Sequence, residues 1–220
     1  MTRSRLDRDL GELHTNLIRL GTLAEEAIGV SVTSLIEYDR ELAEKVIAGD
    51  KEINKLSDSI EADALKILLR QQPVASDLRV ISTALKMVTN LERIGDQARD
   101  ICSIVLHLCD EKYPYKLTII PQMAEAVKTM VTTCIDSFVR QDIDLAKKVV
   151  RMDNEVDTLF DTVREQLIKR IKKESQYANQ AIYLMMVAKY FEKIGDHAEN
   201  IAQWVVYCQT GVKKIKWNEV

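Results

Sequence analysis

The sequence is poor in the residues that turn a chain. Its 220 residues include only 7 glycines and 3 prolines, and aromatics make up 5%. That scarcity excludes a sandwich or barrel of many short strands and favours long helices with few connections. No apolar run approaches the ~20 residues of a membrane-spanning helix. The opening MTRSRLDRDLGEL is interrupted by charge too early for a signal-peptide apolar region. A basic excess is missing as well. Lys+Arg number 31 against 34 Asp+Glu, for a formal net charge of −3, which argues against nucleic acid as a partner. The four cysteines, Cys102, Cys109, Cys134 and Cys208, make no CxxC pair. A chain of this size does not need disulfides, so they read as reduced residues of a cytosolic protein. GxSxG, Walker and GxGxxG motifs are absent, as are HExxH and the Glu-x-x-His of di-iron bundles. His14, His107 and His197 have no partners at ligand spacing and read as surface or helix-end residues.

What is present is helical periodicity. Hydrophobic residues reach 46% and charged residues 30%, enough for a core and for wet outer faces. Leu10, Leu13, Leu17, Leu20, Ala24 and Ala27 recur at steps of three and four, one stripe of a first helix over about 5–38. Asp39 reads as an N-cap for Arg40 to Ala48, Gly49 as a kink or break, and Asp50 as the cap of a segment continuing to Arg70. Pro73 stops that helix. A third helix carries Leu78, Ile81, Leu85, Val88, Leu91, Ala98, Ile101 and Val105 and ends near Asp110. The pattern then restarts. Pro121 opens helix four, with Met123, Val127, Met130 and Cys134 on its stripe. Asp142 plays the part of Asp39. Helix five carries Val156, Leu159, Val163, Leu167 and Ile171, and helix six Ile182, Met185, Ile194, Ala198, Ile201 and Val205. Gly211 sits where a helix stop belongs, and the methionines, Met185 and Met186 among them, read as core filling.

The restart is a true repeat. VIAGDKEINKLSDSIE (Val46 to Glu61) aligns with VVRMDNEVDTLFDTVR (Val149 to Arg164) at an offset of 103. LERIGDQARDI (Leu91 to Ile101) aligns with FEKIGDHAENI (Phe191 to Ile201) at an offset of 100. The length difference falls at the turn between the second and third helix of each unit. The expected fold is therefore all-α: two tandem three-helix bundles, residues 1–112 and 113–220, packed end to end or side by side.

Carboxylates four apart stand out. Glu92 and Asp96 form one pair, Glu192 and Asp196 the matching one. Residues so spaced share a helix face and repel by a few tenths of a kcal/mol. A second acidic row lies on the preceding helix: Asp153, Asp157 and Asp161 in the second unit, Asp50, Asn54 and Asp58 in the first. If helices two and three are neighbours, facing rows gather oxygen donors that suit Mg²⁺, Mn²⁺ or iron. The plainer reading is a solvated face, with Arg93, Arg99 and Lys193 as ordinary ion-pair partners. Gly95 and Gly195, inside their helices at ~1 kcal/mol against alanine, point to a close helix–helix approach. No basic cluster or anion nest suggests direct phosphate binding.

RQQPVASDLR (Arg70 to Arg79), followed by LERIGDQARDI and FEKIGDHAENI, resembles the PhoU family over essentially the whole chain. The resemblance implies a six-helix, two-unit fold and a cytoplasmic, non-enzymatic regulator. It would couple the ATPase of a phosphate transporter to a phosphate-sensing histidine kinase, damping starvation signalling when phosphate is plentiful. It also implies a divalent or transition metal ion (iron, zinc, manganese or magnesium) held by a repeated Glu/Asp-x-x-x-Asp motif. That motif falls on Glu92–Asp96, Asp153–Asp157 and Glu192–Asp196; the fourth copy departs from it as Asp50–Asn54, so the first unit has the weaker donor set. Asp100 and Asn200 are lesser candidates. In QPVASDLR, Ser76 or Asp77 would cap the third helix and Arg79 would brace the turn through a carboxylate, or the segment would dock a partner. The long charged faces leave room for a homodimer. Two other functions are compatible with the residues: an accessory protein of another phosphate or cation transporter, and a carboxylate-metal phosphohydrolase.

Overall fold

The computed structural model describes residues 2–71 and 73–212; Met1, Gln72 and 213–220, the last within the expected second unit, lie outside the described residues. Six long helices follow in order: α1 Thr2–Glu37, α2 Arg40–Gln71, α3 Ala75–Asp110, α4 Ile119–Arg140, α5 Ile143–Lys173 and α6 Ala178–Thr210. A single 3₁₀ turn, Ser175–Tyr177, precedes α6. There is no strand among the described residues.

The two-residue turns after α1 and α4 show how closely the repeat is copied. Tyr38 and Gln141 are the non-glycine residues with positive φ among the described residues, at 55° and 54°. Each is followed by an aspartate that caps the next helix. Asp39 Oδ1 accepts from the Leu42 amide at 3.0 Å; Asp142 Oδ1 accepts from the Asp144 and Leu145 amides at 2.8 and 3.1 Å. The amides of Asp39 and Asp142 reach back to the carbonyls of Ser34 and Ser137 at 3.0 and 2.9 Å, satisfying the orphan acceptors of the helix end. Left-handed backbone costs an L-residue roughly 1–2 kcal/mol, and these paired caps offset it.

Within each half the three helices pack on one another, and the halves lie side by side, joined by α3 on α6 and α1 on α4. Equivalent helices meet, as a pseudo-two-fold axis requires. Arg79 Nε donates to the Cys208 carbonyl at 3.2 Å, Thr83 Oγ1 to that of Trp204 at 3.3 Å, and Gln180 Nε2 to Glu111 Oε2 at 3.2 Å. These pairs run in opposite order along the two helices, so α3 and α6 are antiparallel. One continuous core fills the seam, with Leu91, Ile94, Phe191 and Ile194 fully buried. At Gly21 an added Cβ would collide with the end of the Ile135 side chain, so the glycine sets the α1–α4 spacing.

Several sequence expectations need correction. Gly49 does not break α2, which runs unbroken past it; the buried stripe on either side outweighs the propensity cost of one glycine. Asp50 is consequently not a cap but a mid-helix residue, 7% exposed. α3 takes Val74 as its N-cap with no side-chain hydrogen bond, so neither Ser76 nor Asp77 caps it. Asp77 lies in the first turn, where it complements the helix dipole. Arg79 braces the end of α6 through a carbonyl, not a turn through a carboxylate. Leu78, Ile182 and Met186 are exposed; on α6, Ile182 and Met186 stand on the outer face of a stretch whose inner face buries Ala181, Leu184 and Val187. All three histidines lie on the seam: His14 stacks on Phe138, His107 on Tyr183, and His197 Nδ1 lies 3.0 Å from Asn90 Oδ1. Burial pushes the pKa of His14 and of His197 down.

Candidate metal centre

In both halves the second and third helices are neighbours, so the two acidic rows do face one another. The glycines make this possible. A Cβ on Gly95 would stand 2.9 Å from Ile53 Cδ1, and one on Gly195 3.1 Å from Asp153 Oδ1 and 3.5 Å from Val156 Cγ1. Gly195 thus admits the Asp153 carboxylate against the backbone of α6.

The second bundle concentrates uncompensated acid. Asp153 and Asp157 come from α5, and Glu192, Asp196 and Glu199 from α6. Lys189 Nζ lies 2.7 Å from Glu192, and Lys193 Nζ pairs with Asp196. Among the described residues no ion pair reaches Asp153 or Asp157. Burial, then the charges of Glu199, Asp157, Asp196 and Glu192, push the Asp153 carboxyl up to about 7. Asp157 is raised by burial and by Glu192, Asp196 and Asp161, partly opposed by Lys189. Glu199 is raised by burial, with Asp196 and Asp157 adding to it against a hydrogen bond from Gln203. A cluster of like charges that raises the carboxyls of Asp153, Asp157 and Glu199 is a place where a cation is electrostatically favoured. As the side chains stand, no three His, Cys, Asp or Glu groups among the described residues converge closely enough to hold a metal ion. The donor chemistry fits a hard cation; Asp153, Asp157, Glu192 and Asp196 are the carboxylates that would hold it, with the Glu199 charge beside them.

The first bundle differs. Arg99 occupies the centre of its cluster: Nη1 lies 2.7 Å from Asp96 Oδ1 and 3.1 Å from Asp50 Oδ2, and Nη2 lies 2.9 Å from Asp100 Oδ1. Asn54 Nδ2 donates to Asp50 Oδ2 at 3.1 Å. Burial alone would lower the Arg99 pKa, but the hydrogen bonds it donates to Asp100 and Asp50 raise it overall. Glu92 stands apart, its carboxyl raised by burial and by Asp96, Glu61 and Asp58 against Arg93. The structure therefore gathers Asp50, Asn54, Asp96 and Asp100 around a guanidinium, a donor set that does not fit a metal while Arg99 is in place. The position equivalent to Arg99 is Glu199. Arg99 is the ion-pair partner its position suggests, but at the centre of the cluster rather than on a solvated face; the part of Glu199 is not among the sequence expectations, although the charge reversal is visible when LERIGDQARDI is set over FEKIGDHAENI.

A family profile described as the PhoU domain matches residues 17–105 and again residues 120–205. The chain belongs to the PhoU family. It is 35% identical over 220 residues to a phosphate-specific transport system accessory protein PhoU homolog of Clostridium acetobutylicum, covering 100% of both chains. The Escherichia coli phosphate-specific transport system accessory protein PhoU is 28% identical over 207 residues, covering 94% of this chain and 86% of that one. The crystal structure of PhoU from Pseudomonas aeruginosa superposes with a TM-score of 0.91 at 33% identity, over 94% of this chain and 99% of that one. The phosphate transport system regulatory protein PhoU from Streptococcus pneumoniae gives 0.89 at 25% identity, over 96% and 99%. This is a family of regulatory accessory proteins, not of enzymes, which removes the phosphohydrolase reading. No described helix of this PhoU-family chain is long and apolar enough to cross a membrane.

One feature was invisible in the sequence. Lys116 from the α3–α4 connection and Lys169, Arg170 and Lys173 from the end of α5 line one cleft of about 420 Å³ with Tyr113 and Tyr115. Arg170 is occupied by Glu174 at 3.1 Å and by the Tyr115 ring, 3.6 Å from its centroid, and Lys169 pairs with Glu165 at 3.5 Å.

Proposed function

We propose that this chain regulates phosphate uptake and phosphate-starvation signalling as a cytoplasmic adaptor. In this reading it joins the ATPase of a phosphate transporter to a sensor histidine kinase and damps the starvation response when phosphate is plentiful. The observation that carries it is the full-length relation to accessory proteins of phosphate-specific transport systems. Deleting the gene is expected to leave phosphate-starvation genes expressed in rich phosphate. Unchanged expression, together with no capture of the transporter ATPase or the kinase by the tagged protein, would overturn it.

A metal ion in the second bundle, held by Asp153, Asp157, Glu192 and Asp196, belongs to the same proposal. What supports it is acid left without ion pairs on α5, half-buried Asp153 and exposed Asp157. Oxygen donors of this kind serve hard cations, and the ion would supply positive charge that ties α5 to α6. Mass spectrometry of natively purified protein is expected to find metal that is lost in both Asp153→Ala/Asp157→Ala and Glu192→Ala/Asp196→Ala. Metal-free protein after reconstitution with Mn²⁺, Fe²⁺, Zn²⁺ and Mg²⁺ would sink this part.

Docking of the transporter is assigned to the α2–α3 turn. Leu69, Val74 and Leu78 there are 84%, 60% and 45% exposed, more apolar surface than a solvated turn requires. Leu69→Glu/Val74→Glu is expected to weaken capture of the ATPase at least about tenfold, a loss typical of anchor residues, with an unchanged melting temperature. Full capture by a folded double variant would move the docking surface elsewhere.

A further inference from the structure

We infer that Arg99 is the resident cation of the first acidic cluster and keeps metal out of it, so that the two repeats are functionally unequal. Metal, where this chain holds it, belongs to the second bundle alone. A charge reversal, Arg99 against Glu199, separates two sites built on the same repeat. Both halves keep the glycine that brings the helices together, and both keep the basic residue paired one turn before the acid, Arg93 with Asp96 and Lys193 with Asp196. They part at Asn54, where the second half has Asp157, and in charge at the next turn of the third helix. Arg99 reaches across to Asp50 on α2 as well as to Asp96 and Asp100 on its own helix. It makes the interhelical tie that a metal would otherwise make. Glu199 instead adds a carboxylate to the second cluster, and Asp153, the counterpart of Asp50, has no cationic partner there.

Geometry and charge both oppose a metal beside Arg99. The guanidinium is planar, always charged and held at its fork by three carboxylates. A divalent ion would have to displace it or sit against like charge. Two buried acceptors, Asp50 Oδ1 and Asn54 Oδ1, lack a hydrogen bond. They are the oxygens that removal of the guanidinium would offer to an ion.

This inference goes beyond the metal reading and can stand without it. The test is Mn²⁺ binding to the full, chelator-stripped chain, by equilibrium dialysis with metal analysis, beside thermal unfolding of each variant without metal. In the natural sequence Mn²⁺ is expected to be lost with Asp153→Ala/Asp157→Ala and unaffected by Glu92→Ala/Asp96→Ala. Arg99→Glu is expected to gain a further equivalent, removed again by adding Glu92→Ala/Asp96→Ala. Arg99→Gln, which keeps the size but not the charge, serves if Arg99→Glu does not fold: it is expected to melt lower than the natural chain without metal and to be restored by Mn²⁺. The reciprocal change, Glu199→Arg, is expected to abolish Mn²⁺ binding while raising the metal-free melting temperature, a result that misfolding does not imitate. Mn²⁺ loss from the natural chain on Glu92→Ala/Asp96→Ala would overturn the inference and leave the metal reading intact. A folded Arg99→Glu or Arg99→Gln that gains nothing would overturn it too. If the natural chain binds no Mn²⁺ and Arg99→Glu does, the metal part of the proposed function fails and this inference holds.

Discussion

Asp153→Asn is expected to stabilise the metal-free protein and to cripple its metal binding. Burial and four surrounding acids, Glu199, Asp157, Asp196 and Glu192, hold the Asp153 carboxyl up at about 7 from an ordinary 3.8. Between those two values the folded chain keeps a proton that the unfolded chain has lost. Stability therefore falls as pH rises through this window, and above it the whole penalty is present. Discounted for partial exposure to solvent, the gain from a neutral amide at pH 8 is on the order of 2 kcal/mol. In a chain of this length that is a rise of about 5 °C in melting temperature. Near pH 4 the natural and substituted proteins should melt together. The same substitution removes a charged oxygen donor, so metal affinity should fall at least about tenfold. Melting curves of chelated protein from pH 4 to 8, with metal titrations at pH 8, check both halves. A difference in melting temperature between the two proteins that does not grow from pH 4 to 8 would show that Asp153 is not held protonated.

Phe191→Ala carries the largest expected loss of stability. The ring is fully buried in α6, where the two halves share one core, one residue before Glu192. Truncating a buried phenylalanine costs about 3–5 kcal/mol through lost transfer energy and the cavity left behind. For a chain of this size that lowers the melting temperature by about 10 °C. The repeat supplies its own control. The equivalent residue is Leu91, also fully buried, so the pseudo-symmetric core already accepts leucine at this station. Phe191→Leu should then cost no more than about 1.5 kcal/mol. Urea unfolding of the two variants checks the ratio; equal losses would mean that the two halves of the seam are not packed alike.

Long stretches of this architecture are legible in the sequence because helical burial is periodic. The stripe from Leu13 to Ala24 and the one from Met123 to Cys134 are buried as their spacing demands. The caps Asp39 and Asp142 and the helix stop Gly211 also act as their residue types require. Gly95 and Gly195 mark close approaches because a mid-helix glycine has an energetic cost that packing must offset. Expectations failed where burial depends on a neighbour rather than on the helix itself. Ile182 and Met186 are apolar residues on the face of α6 that no helix covers, beside buried Ala181, Leu184 and Val187. Gly49 looked like a break because local propensity was read without the core that holds α2 straight.

The acidic site divides along the same line. Its carboxylates, their spacing and their duplication are properties of single helices, and the sequence by itself determined them. It also determined the repeat, and with it the pairing of α3 with α6 as equivalents. Only the tertiary structure decided what those charges meet. Whether a carboxylate faces another acid or a guanidinium depends on which side chains cross the gap between helices, and no one-helix period encodes that. Asp50 and Asp153 are the same residue type at the same repeat position. One ends against Arg99 and the other among acids because α3 and α6 differ in charge one turn beyond the shared motif.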